Sequence, residues 1–343
     1  MNSLQNKPNL TVLAIESSCD ETACAIVRDG VVLGESISTQ IPIHRLYGGV
    51  VPEIASRNHA VNINLVVAEA LDKSGLTIPE VDAVAVTYGA GLIGALLVGV
   101  SYAKGLAYAY GKPLVAVNHI RGHIAANYLA HPDLVPPYVA LIVSGGHTAV
   151  AEVTDYTHLE VYGSTADDAV GEAFDKVARV LGLPYPGGPE IEKLAREGRA
   201  VIPMPHAKMD GKYDFSYSGL KTAVINYVHT CEQKGQPYDK ADVAASFQDA
   251  AVSVLAERAV ALATDKGLTT IAVAGGVGAN GRLREVLNNY AYPRGVTTLF
   301  PPKRFCTDNA SMIGMEALVQ IRAGTPFADL TLDAAATIPL RSH

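Results

Sequence analysis

The chain repeats its own pattern. Residues 11–35, TVLAIESSCDETACAIVRDGVVLGE, and residues 138–162, YVALIVSGGHTAVAEVTDYTHLEVY, share one plan. Each reads as an apolar strand, a small polar turn, a second apolar strand, a short turn and a third strand. The echo continues downstream. Strand 81–86 runs into Gly89-Ala90-Gly91 and a helix, and strand 269–274 runs into GGVGANG at 275–281 and a helix over 282–290. Strands 113–117 and 296–300 follow. Each half is β-β-β-α-β-α-β-α in outline, which predicts two α/β domains around a cleft, with glycines at strand ends facing it. The expected halves are an N-terminal lobe 1–134, carrying an inserted helical arm at about 40–71, and a C-terminal lobe 135–343, carrying a helical insert at about 187–246.

This pattern resembles the ATPase fold shared by actin, hexokinase and the heat-shock chaperone ATPases. Length agrees, since 343 residues suit one large or two medium domains. Charge excludes a simple nucleic-acid binder: a net −7 leaves any RNA contact to a local basic patch or a partner. The cysteines at 19, 24, 231 and 306 form no C-x-x-C, which fits reduced thiols and a cytoplasmic protein. No export signal is visible at the N-terminus. Residues 83–103 carry no formal charge, long enough for a membrane span, yet they read better as a buried strand, a glycine turn and a helix. No membrane association is expected.

The sharpest constellation is Asn118-His119-Ile120-Arg121-Gly122-His123. Histidines at i and i+4 share one helix face and reach one cation. The pair is not H-E-x-x-H, so a zinc-protease base is missing. Two histidines alone also fit one surface and one packed side chain. A third ligand is Asp308, expected at a helix start with Thr307 as N-cap, in a place of the second half equivalent to that of the histidines in the first. Such a His-His-Asp set suits Fe(II), Mn(II) or Zn(II); Cys306 is a softer alternative.

Glycine loops form the second signal. Ser144-Gly145-Gly146 and Gly275 to Asn280 follow strands, where backbone N–H groups can approach phosphate. Neither is a P-loop. Asp20 and Glu21 lie in the first turn and could hold a cation or serve only as turn residues. Asp167 and Asp168 read as a solvated acidic face; Asp175, near Gly187-Gly188, could bond a hydroxyl-bearing ligand. Arg282, Arg284, Arg294, Lys303 and Arg304 oppose Glu285 alone between 280 and 304, a patch suited to RNA phosphates or to plain solvation. The arm helix, roughly 52–71, carries an apolar stripe of Ile54, Val61, Leu65, Ala68 and Leu71, either core or a docking face.

IESSCDET, YGGVVPEIASRNH, NHIRGH, LIVSGGHT, GEAFDKVARVLGL, GGPEIEKLA, FSYSGLKT, AGGVGAN and CTDNASMI together resemble the TsaD family, across about residues 10–323. That resemblance implies a tRNA adenosine threonylcarbamoyltransferase of the actin-like fold and the bacterial type. It implies metal ligands at His119, His123 and Asp308, one divalent metal per chain, Fe(2+) before Zn(2+). It implies ligand contacts at Ile142, Val143, Ser144, Gly145, Gly146, Asp175, Gly188 and Asn280, with Glu192 standing where some members have Asp. Asp20 and Glu21 match acids implicated in activity. The implied donor is threonylcarbamoyl-AMP, with ATP a further adenine nucleotide for the same site. The implied partners are tRNA, a TsaB-like paralogous subunit and a TsaE-like ATPase. The older label of O-sialoglycoprotein endopeptidase gains nothing from a motif without its glutamate. Two rival expectations are an ATP-dependent kinase or ATPase of the same fold, and a non-catalytic scaffold.

Overall fold

A computed structural model describes residues 4–205, 209 and 211–340. The remaining residues, at both chain ends and within the expected helical insert, lie outside the described ones. The chain divides into two compact units.

Unit 1 comprises residues 1–135, 155–158 and 301–343. Its sheet holds β1 (Thr11–Glu16), β2 (Glu21–Arg28), β3 (Val31–Thr39), β4 (Ala83–Gly89) and β5 (Leu114–Asn118) in the order β3-β2-β1-β4-β5. The first three strands are antiparallel and β1, β4 and β5 are parallel. Its helices in the N-terminal stretch are α1 (Ile41–Arg45), α2 (Pro52–Ser74), α3 (Ile93–Tyr110) and α4 (His119–Ala130). Strand β1 is buried throughout because both faces are covered. Leu13 and Ile15 join Cys24, Ile26 and residues of α2 and α3 on one face, while Val12 and Ala14 join Ala23, Ala25 and Val27 on the other. Helix α3 is long and apolar enough to cross a membrane, but Ala95, Leu96, Val100 and Ala103 pack into the core.

Unit 2 comprises residues 136–154 and 159–300. Its sheet repeats the plan with β6 (Tyr138–Val143), β7 (Thr148–Val153), β8 (Leu159–Ser164), β9 (Thr270–Ala274) and β10 (Thr297–Leu299), in the order β8-β7-β6-β9-β10. Helices α5 (Val170–Val180), α6 (Gly187–Ala195), α7 (Ser218–Gln233), α8 (Lys240–Lys266) and α9 (Gly281–Ala291) surround a core around Val139, Leu141, Phe174 and Phe247. The identical strand order establishes the duplicated α/β plan expected from the sequence.

Three expectations are corrected. First, the last segment of the expected C-terminal lobe belongs to unit 1. After α10 (Lys303–Cys306), helix α11 (Ala310–Ala323) puts Met312, Ile313, Ala317 and Leu318 onto the second face of the first sheet. Gly314 permits the approach, since a Cβ there would lie 2.6 Å from Val27 Cγ2. Second, the arm helix is part of the core. Ala55, His59, Ile63, Val66, Val67 and Ala70 face inward, while Val61 and Leu65 of the expected stripe are 71% and 59% exposed. The helix is apolar on two sides, and the sheet takes the face with smaller and β-branched residues. Third, Asp167 and Asp168 are not a free acidic face. Asp167 accepts from the Tyr217 amide and the Ser216 and Ser218 hydroxyls beside the start of α7, and Asp168 pairs with Lys176 and Lys221.

Candidate metal centre and glycine loops

Three parallel strand ends of unit 1 converge, as ligand sites do in open α/β sheets. Strand β1 ends at Glu16, β4 carries Thr87 near its end, and β5 runs directly into α4. Asn118 caps α4, its side chain accepting from the Ile120 amide at 2.9 Å. His119 and His123 therefore stand one turn apart, ring centroids 4.6 Å apart and edge to face. Between them, Gly122 lets α11 approach: a Cβ would lie 2.7 Å from Ile313 Cδ1. The buried Arg121–Glu316 pair, 3.0 Å, ties the same helices.

That packing brings Asp308 to the histidines. Its Oδ1 lies 3.4 Å from His119 Nε2 and 3.2 Å from His123 Nε2. Asn309, rather than Thr307, caps α11 by accepting from the Met312 amide, which leaves the Asp308 carboxylate to the imidazoles. One ligand atom from each of the three residues falls within 4.8 Å of the others. Both ring nitrogens of His123 are buried: Nδ1 has no hydrogen-bond partner, and Nε2 faces the Asp308 carboxylate at 3.2 Å. Two imidazole nitrogens and a carboxylate oxygen thus converge in a buried place, a donor set that suits a divalent cation.

Charge agrees. Burial opposes the imidazolium of His119, but Asp308 and Glu16 outweigh it and push its pKa up to about 9. Burial drives His123 the other way, helped by the charge of His119. Burial would raise Asp308, yet the two histidines hold it down at about 2. Glu21, in the first turn, is pushed up to about 10 by burial and by the charges of Asp20 and Asp308.

Sequence reasoning missed the residues behind this cluster. Glu16 is fully buried and accepts from the Ser18 amide, from Thr87 Oγ1 at 2.6 Å and from His119 Nδ1 at 3.1 Å. Ser18 Oγ also lies 3.1 Å from His119 Nδ1. His59, from α2, clamps the turn carrying Asp20 and Glu21: its Nε2 donates to the Cys19 carbonyl and its Nδ1 meets Thr22 Oγ1. The available signal was a glutamate ending an otherwise apolar strand.

Unit 2 holds the glycine loops. Ile142 and Val143 are fully buried at the end of β6, and the chain reaches the surface at Gly145 and Gly146. Ser144 Oγ accepts from the His147 amide. Gly275 has φ +99°, and a Cβ would lie 2.5 Å from the Val143 carbonyl and 3.2 Å from Ser144 Cβ, so the loops after β6 and β9 touch. Gly145, Gly146, Gly188 and Gly276 face open space. Asp175 accepts from the Gly187 amide at 2.6 Å, at the start of α6. Asn280 caps α9 and donates to Gln248 Oε1. A polar cavity of about 370 Å³ opens beside it, lined by Glu192, Gln248, Asp249, Gly281 and Arg282.

The basic patch is more engaged than its composition suggests. Arg282 pairs with Asp249 and Glu285, and Arg284 donates to the Gly278 carbonyl while lying over Phe300. In unit 1, Lys303 opens α10 and Arg304 lies over the Phe305 ring.

Comparison with known proteins identifies this arrangement. The family described as TsaD, tRNA N6-adenosine threonylcarbamoyltransferase, matches residues 31–315. The chain belongs to the TsaD family. A relative from Moorella thermoacetica with that description is 57% identical over 96% of this chain and 97% of its own length. One from Clostridium perfringens SM101 is 55% identical over 91% of this chain and 93% of its own. The TsaD chain is thus a transferase acting in tRNA modification. Among solved structures, T. kodakarensis HypF superposes with TM-score 0.61 at 14% identity, over 93% of this chain and 48% of that one. The likeness extends to fold alone, and it agrees with the actin-like ATPase plan read from the duplicated strands.

Proposed function

We propose that the protein transfers the threonylcarbamoyl group of threonylcarbamoyl-AMP to N6 of the adenosine 3′ of the anticodon, in tRNAs reading codons that begin with A. N6 forms a bond to the carbamoyl carbon, the bond from that carbon to the phosphate oxygen breaks, and AMP leaves with the electron pair. The N6 proton passes to a base. The convergence of His119, His123 and Asp308 in a TsaD-family chain carries the reading. These three would hold one Fe(II) or Zn(II), which when bound supplies Lewis acidity for the donor's oxygens.

The other steps fall to the chain's own groups. The donor is already an activated mixed anhydride, so orientation matters more than a covalent nucleophile. The backbone of Ile142 to Gly146, with Gly188 and Asn280, would hold the adenylate, and ATP fits the same groups. Open space at Gly145, Gly146, Gly188 and Gly276 supports that role. Asp175 would contact the donor from the start of α6. Burial and the charges of Asp20 and Asp308 push Glu21 up, and we assign proton acceptance to the Asp20–Glu21 pair of the first turn. Arg282, Arg284, Lys303 and Arg304 would meet tRNA phosphates, the first two only after exchanging their present partners.

The net charge of −7 argues for help with tRNA. We assign the exposed face of α2, with Val61 and Leu65, to a TsaB-like subunit, with a TsaE-like ATPase completing the assembly. Four free cysteines, three of them buried, fit the reducing cytoplasm. The test is incubation of the protein and its partners with tRNA and donor, followed by mass spectrometry of the nucleosides. Threonylcarbamoyladenosine should form, and His119→Ala should abolish it. Phosphoryl transfer without modified adenosine would favour a kinase, and full activity of His119→Ala a scaffold.

A further inference from the structure

Glu16 stands where a strand end should be apolar. Its register shows this: Val12 to Ile15 pair with β4 as Val139 to Ile142 pair with β9, so Glu16 matches Val143 of the second sheet. Val143 is fully buried, and so is Glu16. The duplicated plan therefore closes this strand end with a hydrocarbon in one unit and a carboxylate in the other. Burying an ionised carboxylate costs several kcal/mol unless hydrogen bonds satisfy it. Here they do. Oε1 accepts from the Ser18 amide, and Oε2 accepts from Thr87 Oγ1 and His119 Nδ1.

One of those bonds is directional toward the metal centre. An imidazole has two nitrogens, and the partner of one decides what the other can do. With Nδ1–H directed at Glu16, the Nε2 lone pair of His119 is the one left for a ligand. Nε2 is also the nitrogen that faces Asp308, at 3.4 Å. Thr87 Oγ1 and the Ser18 amide hold the carboxylate from two other directions, so the ring cannot turn without breaking bonds inside the core. His123 has no equivalent support: its Nδ1 finds no partner, while its Nε2 faces Asp308 at 3.2 Å. The two histidines are chemically unequal, and His119 is the oriented one.

We propose that Glu16 is a positioning residue for the metal centre: its buried carboxylate takes the Nδ1 hydrogen bond of His119 and presents Nε2 to the cation, with Thr87 and the Ser18 amide fixing the carboxylate. The proposal rests on the metal reading above. A glutamine at this place can donate to Nδ1 as readily as accept from it, and so permits the wrong tautomer.

The test uses the full chain stripped of metal, with zinc as probe and a chromophoric chelator as competitor, well below the melting temperature. Glu16→Gln should bind zinc about 10- to 100-fold more weakly, the usual loss when a metal-bound histidine loses its carboxylate partner. Thr87→Val removes one hydroxyl from Glu16 without touching His119, and it should weaken zinc binding by a smaller factor. If Glu16→Gln does not fold, Thr87→Val alone decides. A purely structural role for Glu16 predicts lower melting temperatures for both variants with zinc affinity of the folded protein unchanged, and that result overturns the proposal. Wild-type protein that binds no zinc overturns the metal reading itself, whereas wild-type binding matched by both variants overturns only the role of Glu16.

Discussion

Zinc binding should tighten steeply with pH, because His119 must first give up a proton. Its pKa in the metal-free protein is raised to about 9, against burial, by Asp308 and Glu16. At pH 7 only about one molecule in a hundred carries the free Nε2 lone pair, so affinity there is about a hundredfold below its high-pH limit. His123 is lowered, Asp308 is held down at about 2 and Glu16 is lowered, so no other ligand or supporting group takes up a proton near neutrality. One proton is released per ion, and the apparent Kd should fall about tenfold per pH unit up to about pH 9 before levelling. The sign for stability follows from the same shift. His119 is raised above 6.5, so its proton stabilises the metal-free fold fully below pH 6.5, and this contribution disappears as pH rises through about 9. Competition with a chelator at pH 6.5 and pH 8.5 should differ by about two orders of magnitude. Calorimetry in two buffers of different ionisation enthalpy should count one proton. A Kd that changes less than threefold over that range would refute the electrostatic account of the cluster.

Two further outcomes separate fold from function. Gly275→Ala should lower the melting temperature by roughly 5–10 °C, since its left-handed backbone and a Cβ 2.5 Å from the Val143 carbonyl both resist a side chain; Gly276→Val, in open space, should melt like wild type and lose nucleotide affinity. Equal melting of the two variants, or unchanged nucleotide binding by Gly276→Val, defeats the reading of these loops. Val61→Asp and Leu65→Glu should keep both the melting temperature and zinc binding, because those side chains are exposed, while weakening assembly with a TsaB-like subunit measured by gel filtration; intact assembly would place the partner elsewhere.

Legibility in the sequence followed the range of the interactions involved. The strands announced themselves because both sheets alternate or bury within six to nine residues, a local pattern. The His119 and His123 pair was legible for the same reason, one helical turn being a local distance. Asp308 was reachable only through the duplication and the resemblance, yet the symmetry argument misplaced its segment. Helix α11 goes to the unit whose sheet offers a matching apolar face, and Gly314 against Val27 is a contact between residues far apart in the chain. The core face of α2 failed differently. A helix with apolar residues on two sides gives no single stripe, and which face goes in is decided by the strands it meets: Ile63 and Val67 are buried, Val61 and Leu65 are not, and a Cβ at Gly34 of β3 would lie 2.4 Å from the Ala70 carbonyl. Asp167 was read as solvated because its partners at 216–218 lie about fifty residues downstream.

The duplication explains how one plan serves two chemistries. Each sheet has three parallel strands, the first strand and the last two of its unit, and their carboxyl ends are the natural place for ligands. What stands there differs in kind. In unit 1 the ends carry side chains: Glu16, Thr87 and, at the first residue of α4, His119. A carboxylate and an imidazole survive burial because each satisfies the other. In unit 2 the matching ends carry Val143, Ser144 and the glycines at 145, 146, 275 and 276, with no ionisable side chain among them and open space at Gly145, Gly146 and Gly276. Glycine there costs chain entropy but spares the fold any buried charge. The unit that buries charge is therefore suited to a cation, and the unit that exposes amides is suited to a phosphate. Each copy of the sheet can thus specialise without altering strand order.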